Sequence, residues 1–434
     1  MGIKSAVRSY FKFPVIYKIA IGLVLGLIVG LIVGPAIAPI KPIGDFFVRL
    51  LKFCIMPLVL FALTAGAASL SPSTGARMGG KAVGFYVITT VFAAAFGIAI
   101  ALLFRPGVGM QLVGVGVVKE AAAVSVTDFI LRLITTNPFS ALANGEMLPT
   151  VIFCILLGLA LAMVKESPKA EVRKTAETAI AVFEAGRDAI IRIIYWIMEY
   201  APYGVFALLA YVIGTQGPKV IGPLGMVTLT LYVALLIHVF LVYGGALTLA
   251  RLNFFRFMRG ARDAAITAFI TRSSGATLPV SLRCATENLG IDKRLASFAI
   301  PIGNTINMDG TCMYTTICAI YIAQAVGVQI TLTQMAAGVL TATFVSIGAV
   351  GLPGVGVIIL IAVLASMGIP LEVGTGVALA YAGILGIDAI LDMGRTCVNN
   401  IGDLAMTSIV AKSEGMLDLD FWRRPAKATA KAKA

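Results

Sequence analysis

Apolar stretches of roughly 20 residues, separated by short polar connections, recur from one end of the chain to the other. At that length a helix crosses a hydrocarbon core about 30 Å thick. The pattern predicts helices near residues 14–40, 43–69 and 80–105, a broken region at 125–164, a long helix from 171 kinked at Pro202, and another at 220–250. These are six ordinary crossings. The first stretch, Pro14 to Ile40, is too long for the apolar core of a removable signal and is followed by many more, so it reads as the first helix.

Beyond residue 260 the pattern changes. An apolar segment between Arg262 and Arg283 is interrupted by Thr271-Arg272-Ser273-Ser274-Gly275-Ala276-Thr277-Leu278-Pro279, which predicts a helix, a polar tip and a second helix. A second segment, Thr331 to Pro370, carries no charge, yet is broken by Gly348, Gly351, Pro353, Gly354 and Gly356. A straight span has no use for such a centre. In hydrocarbon every backbone N–H and C=O must find a partner, so irregular backbone survives only when buried in protein or lining a wet cavity. Two interrupted segments in corresponding places point to the binding site of a transporter.

Between them lies a predicted helix from Leu295 to Val326, interrupted at Asn304 to Thr311. Asp309 is the only charged residue between Arg294 and Glu372. A lone carboxylate at membrane depth is costly and marks a proton or cation pathway. The Asn-rich unwinding beside it offers hard oxygen donors to a sodium ion. The last predicted helix, Leu371 to Val410, carries Asp388, Asp392, Arg395, Asn399 and Asp403 at steps of four, three, four and four, one face of an α-helix. A self-neutralising ladder, for example Asp392 with Arg395, is the plain alternative. Three carboxylates against one guanidinium leave negative charge over, which invites cations or an ammonium group, while an Arg fork fits a carboxylate.

Composition agrees: 59% of the residues are apolar and 13% charged, the signature of a chain whose solvent is mostly lipid. The net charge of +13 does not point to nucleic acid, because the basic residues gather in connections and tails. They cluster at Lys4, Arg8, Lys12 and Lys18, at Arg77 and Lys81, at Lys165, Lys169, Arg173 and Lys174, at Arg251, Arg256, Arg259 and Arg262, and from Arg423 to Lys433. The positive-inside rule then puts both termini in the cytoplasm and makes the number of crossings even. The Ala- and Lys-rich end reads as a disordered tail. Cys54, Cys154, Cys284, Cys312, Cys318 and Cys397 are scattered, without a CxxC pair, and read as small packing residues. His238, the only histidine, reads as a satisfied structural group.

Three stretches carry a resemblance: Arg272 to Pro279, Asn307-Met308-Asp309-Gly310-Thr311, and Asp392-Met393-Gly394-Arg395-Thr396-Cys397-Val398-Asn399. Together they resemble the signatures of the glutamate transporter family (dicarboxylate/amino acid:cation symporters), and among its members the archaeal sodium-coupled aspartate transporters. The likeness runs over nearly the whole chain. It implies an all-α polytopic membrane protein of inverted repeats, with eight transmembrane helices plus two re-entrant helical hairpins, the tips near Ser273 to Thr277 and Gly351 to Gly356. It implies a homotrimer in the cell membrane, in contact with membrane lipid. Residues 1–75 (helices one and two) and 107–218 (helices four and five) would form a scaffold. Residues 76–106 (helix three) and 219–415 (helix six, first hairpin, helix seven, second hairpin, helix eight) would form a mobile transport unit, and 416–434 a cytoplasmic tail. The second hairpin resembles an extracellular gate, and the unit would move as an elevator.

By the same resemblance the cargo is L-aspartate or L-glutamate with several sodium ions. Arg395, helped by Thr311, would bind the side-chain carboxylate and Asp392 the amino group. Asn399, Ser274 and the backbone around Arg272 and Ser273 would hold the main-chain carboxylate, with Val355 and Gly356 closing from the gate and Thr396 lining the pocket. One sodium would bind Asp403 with carbonyls of Gly303, Asn307 and Asn399; a second Asp309, Asn307, Thr89, Thr90 and Tyr86; a third the carbonyls of Thr305, Ser346, Ile347 and Ala349 with the Met308 sulfur.

The sequence departs from the family at Gly275, where many relatives have another serine, and at Thr315, where potassium-coupled animal relatives look to carry a glutamate. Sodium alone is the simpler expectation. Other readings are a proton- or sodium-coupled C4-dicarboxylate transporter, an intramembrane aspartyl protease and a channel. Asp392 argues against a simple dicarboxylate, since two carboxylates have no use for a third. A protease needs acids on facing helices, and Asp388, Asp392 and Asp403 share one helix with an arginine. Saturable transport would separate a carrier from a channel.

Overall fold

The computed structural model describes residues 15–68, 76–110, 131, 134–347, 354–372, 375–419 and 422. Among these, regular structure is helical, with one isolated bridge between Ile291 and Leu417. The chain folds as α1 (Val15–Val33), a turn over Gly34–Ile40, α2 (Lys41–Leu58), a wide π-turn, α3 (Thr64–Ala68), α4 (Ala76–Phe104), α5 (Pro138–Asn144), α6 (Met147–Lys165), α7 (Ala170–Gln216), α8 (Ile221–Ile237), a second π-turn (His238–Tyr243) and α9 (Gly244–Leu249). Then follow α10 (Phe254–Thr271), α11 (Ser274–Arg283), α12 (Lys293–Ile306), α13 (Asp309–Ala325), α14 (Leu332–Ser346), α15 (Val355–Ser366) and α16 (Gly376–Ser413).

Six helical stretches among the described residues are long and apolar enough to cross a membrane, and the first, Tyr17–Ala68, holds α1 and, after the Gly34–Ile40 turn, α2 and α3. Helix α7 is one element of 47 residues that runs through Pro202. Gly22, Gly26 and Gly30 lie along α1 opposite it, where a Cβ would fall 2.4, 2.7 and 2.8 Å from the carbonyl oxygens of Pro202, Phe206 and Ala210. Small residues four apart let two helix backbones touch, which is how helices associate where lipid is as apolar as the side chains. A Lys18–Glu199 ion pair at 2.7 Å adds to this contact.

The predicted interruptions are present, with shifted edges. Helices α14 and α15 have 15 and 12 residues, about 22 and 18 Å at 1.5 Å per residue, too short to cross about 30 Å. They pack against each other, and every residue of α15 from Val355 to Leu364 is buried, as expected of a helix apolar all round. The residues between them, 348–353, with Ala349 and most of the predicted tip, lie outside the described residues.

The polar break predicted over Thr271–Pro279 shrinks to Arg272 and Ser273, because Ser273 caps α11 by accepting from the N–H of Ala276 at 3.2 Å. Pro279 stands inside α11 without ending it. The middle break narrows to Asn307 and Met308, between α12 and α13.

The segment expected as a tail from 416 begins with bonds back to the loop between α11 and α12. The N–H of Asp292 donates to Met416 and that of Asp418 to Gly290, both at 2.9 Å. The Trp422 indole donates to the Leu289 carbonyl at 2.6 Å. The chain after α16 is thus bound to the loop that leads into α12. The outer basic clusters, Lys4 to Lys12 and Arg423 to Lys433, and the expected disordered tail lie outside the described residues.

Candidate functional site

Helix α16 is the most buried of the long apolar stretches and, after α7, the least apolar. Its predicted face is real, but it divides between two neighbourhoods. Asp388, Asp392 and Arg395 meet the tips of the short helices, while Asn399 and Asp403 meet the break between α12 and α13.

In the first neighbourhood the Arg395 Nε donates to Asp392 Oδ1 at 2.8 Å, and Thr396 Oγ1 donates to the same oxygen at 2.9 Å. Arg395 Nη1 lies 3.7 Å from Asp388 Oδ1, and Arg272 Nη1, from the first tip, lies 3.9 Å from Asp392 Oδ2. The expected surplus of negative charge is therefore absent here: two guanidinium groups face two carboxylates. The Arg395 guanidinium also lies 4.4 Å over the Tyr314 ring, a cation–π contact.

The balance is not a closed network. Arg272 Nε, Asp388 Oδ1, Asp392 Oδ2 and Arg395 Nη1 are buried without a hydrogen-bond partner. Leaving such groups unmade is costly, and the cluster holds unpartnered donors and acceptors of both signs. Gly356 closes it from α15, where a Cβ would fall 1.5 Å from Arg395 Nη1. A crevice lined by Phe47, Met198, Val205, Arg272, Gly354 and Asp388 lies beside the cluster.

The second neighbourhood is built on Asn307. Its Nδ2 donates to the Asn399 carbonyl at 3.3 Å and to Asp403 Oδ1 at 3.2 Å, and its Oδ1 accepts from Thr89 Oγ1 at 3.1 Å. Asp309 Oδ1 accepts from Thr90 Oγ1 at 2.8 Å. Asn399 bridges to α13, accepting from the N–H of Gly310 at 2.8 Å and donating to Thr311 Oγ1 at 3.1 Å and Met308 Sδ at 3.2 Å. Asp309 and Asp403 are each at most 1% exposed, and no group of three or more His, Cys, Asp or Glu suited to a metal occurs among the described residues. The donors on hand are hydroxyl, amide and carbonyl oxygens around single carboxylates, a set that suits a hard monovalent cation.

Most predicted site residues fall into these two neighbourhoods. Gly303 stands against Asp403, with a would-be Cβ 2.7 Å from its Oδ1. Tyr86 meets the expected set through its carbonyl, which accepts from Thr89 Oγ1 at 3.1 Å, while its hydroxyl bonds to the Ala299 carbonyl and Thr407 Oγ1 at 3.2 and 2.8 Å. Thr305 Oγ1 and Ser346 Oγ donate to the carbonyls of Ile302 and Thr343. Ser346 is also 3.2 Å from the Cys312 thiol. Ile347 and Val355 are buried. The six cysteines are free, five of them buried and Cys397 half-buried.

Sequence reasoning missed three residues and misread a fourth. Tyr314 sits under Arg395, and Asn400 donates to Ser274 Oγ at 3.0 Å, tying α11 to α16. Tyr243 donates to Asp309 Oδ2 at 2.7 Å. His238 is not the satisfied group expected, since its Nε2 bonds to the same oxygen at 3.0 Å while its buried Nδ1 has no partner.

Comparison with known proteins adds a separate finding. The family described as the sodium:dicarboxylate symporter family matches residues 15–413. The proton/sodium-glutamate symport protein of Geobacillus stearothermophilus is 33% identical over 386 residues, covering 87% of this chain and 88% of its own. The proton/glutamate-aspartate symporter of Escherichia coli K12 is 33% identical over 391 residues, 87% and 86% of the two chains. A C4-dicarboxylate transport protein of Laribacter hongkongensis is 33% identical over 390 residues, 88% and 85%.

Proposed function

The chain belongs to the sodium:dicarboxylate symporter family, membrane-embedded transporters and not enzymes, and from that premise we propose that it imports an acidic amino acid, aspartate or glutamate, together with sodium ions. The observation that carries this reading is Asp392 beside Arg395. The arginine offers its fork to a side-chain carboxylate, and the carboxylate offers an acceptor to an ammonium group. Succinate would set a third carboxylate against Asp392, at a cost in repulsion. The C4-dicarboxylate relative keeps that alternative open to test.

On this reading Asn399, Ser274 and the backbone at Arg272 and Ser273 hold the main-chain carboxylate, while Thr311 and Thr396 line the pocket. Sodium neutralises Asp309 and Asp403 and orders the second hairpin, so that substrate binding depends on the ion. We read α1 with α2, and α6 with α7, as the scaffold of a homotrimer. Helix α4 and the elements from α8 to α16 form the moving unit, with eight crossings in all and cytoplasmic termini.

The test is uptake of radiolabelled aspartate into proteoliposomes. An inward sodium gradient drives uptake, excess succinate competes poorly, and potassium in place of sodium abolishes it. No uptake under the sodium gradient, or succinate winning the competition, refutes the reading.

A further inference from the structure

The carboxylate of Asp309 is held unevenly. Its Oδ1 accepts one hydrogen bond, from Thr90. Its Oδ2 accepts two, from the Tyr243 hydroxyl at 2.7 Å and from His238 Nε2 at 3.0 Å. An ionised carboxylate has about four lone-pair positions, so Oδ2 is filled and Oδ1 keeps one vacant.

The two donors reach one oxygen because of the backbone between them. His238 and Tyr243 are five residues apart and bound a π-turn. In an α-helix, residues at that spacing point about 140° apart; the wider i→i+5 turn carries the extra residue and brings them to one side. The rings meet edge to face, with centroids 4.8 Å apart and planes at 84°. Opposite them Gly402 leaves the room, since a Cβ there would fall 2.4 Å from both the Tyr243 hydroxyl and Asn307 Nδ2. His238 makes one hydrogen bond through its ring, to Asp309, and Nδ1 is buried without a partner. As the carboxylate can only accept, the ring donates through its Nε2–H.

We propose that His238 and Tyr243 are paired positioning residues for the cation at Asp309. They fix the carboxylate by Oδ2 and present Oδ1, beside Thr90 and the Asn307–Thr89 pair, to the ion. This rests on reading Asp309 as a cation ligand. The pair does not touch the ion; it acts through the carboxylate, as outer-shell donors do at metal sites, where removing one lowers metal affinity by about 10–100-fold.

The test uses the purified full-length protein and two readouts: the sodium concentration that half-stabilises it against heat without substrate, and the sodium dependence of aspartate binding by calorimetry. D309N, Y243F, H238L and H238Q are compared. The pair's role is supported if Y243F and H238L each raise the sodium requirement about tenfold, aspartate affinity at saturating sodium stays within about threefold, and H238Q, which keeps an N–H donor, recovers most of the loss. If D309N shifts the requirement but Y243F and H238L do not, the pairing is wrong and the cation site stands. Equal losses in H238Q and H238L also overturn it, because packing and not donation is then the cause. Should H238L fail to fold, Y243F decides alone, since it removes a single oxygen. No shift in D309N overturns the cation site itself.

Discussion

Helices α11 and α15 are the second arms of the two short pairs, and they begin at the same charged cluster in opposite ways. Helix α11 starts on side-chain hydrogen bonds: Ser273 caps it, Thr277 Oγ1 donates to the Ser273 carbonyl at 2.8 Å, and Asn400 reaches Ser274 from α16. Helix α15 starts at Gly354, in the left-handed region at φ +85°, with no side-chain cap. Its first turn is held by apolar burial and by the fit of Gly356 against Arg395. Directional bonds fix one arrangement, whereas apolar contact tolerates sliding. The difference supports the reading of the first pair as part of the fixed floor of the site and the second as its gate.

The strongest way to break this comparison is to remove the group both arms enclose. Arg395→Cys is expected to weaken aspartate binding at least a hundredfold, about 2.7 kcal/mol, and to lower thermal stability by leaving Arg272 as the one guanidinium facing Asp388 and Asp392. Calorimetry and a melting curve check both effects.

Next is a matched pair of glycines. Gly356→Ala forces a methyl into the Arg395 guanidinium and should cost about 1–3 kcal/mol of aspartate binding. Gly275→Ala at the first tip meets its nearest neighbour, Ser273 Oγ, at 3.9 Å and should stay within about 0.5 kcal/mol. Equal effects would erase the distinction between the tips.

Asn400→Ala sharpens the other side. It removes the bond to Ser274 and the acceptor of Ser281, both buried, and should cost about 1–2 kcal/mol of stability, read as a lower melting temperature with the sodium requirement unchanged.

The smallest effect belongs to Asp292, which caps α12 on the loop beyond the first pair. The side-chain hydrogen bond from Arg294 holds its carboxyl below the ordinary value. Its contribution is present above the unfolded-state pKa and is lost as pH falls through the lower folded value. Asp292→Asn should therefore shift the melting temperature slightly at pH 7 and not at all in strong acid.

The broad fold was legible because hydrophobic spans, a lone Asp309 and the spacing from Asp388 to Asp403 each leave a periodic or isolated mark in the sequence. What was not legible has physical causes. A π-turn has the same composition as the α-helix around it, so nothing announced that His238 and Tyr243 share a target. Asn400 follows Asn399 and points about 100° away on the helix, off the face that the charged residues define. Tyr314 is one aromatic in an apolar helix until Arg395 is seen above it. In the sequence Pro279 belongs to the polar break, yet the helix runs through it, leaving the carbonyl of half-buried Gly275 at the tip without that N–H. The glycines at 22, 26 and 30 were in plain view, but their meaning depended on α7 as partner.

On the proposed reading, one site takes an acidic amino acid and depends on sodium to do so. Isothermal titration of the purified protein with aspartate, in sodium and in choline at equal ionic strength, tests it most directly. Saturable binding in sodium that vanishes in choline is the expected result; equal binding in both would contradict it.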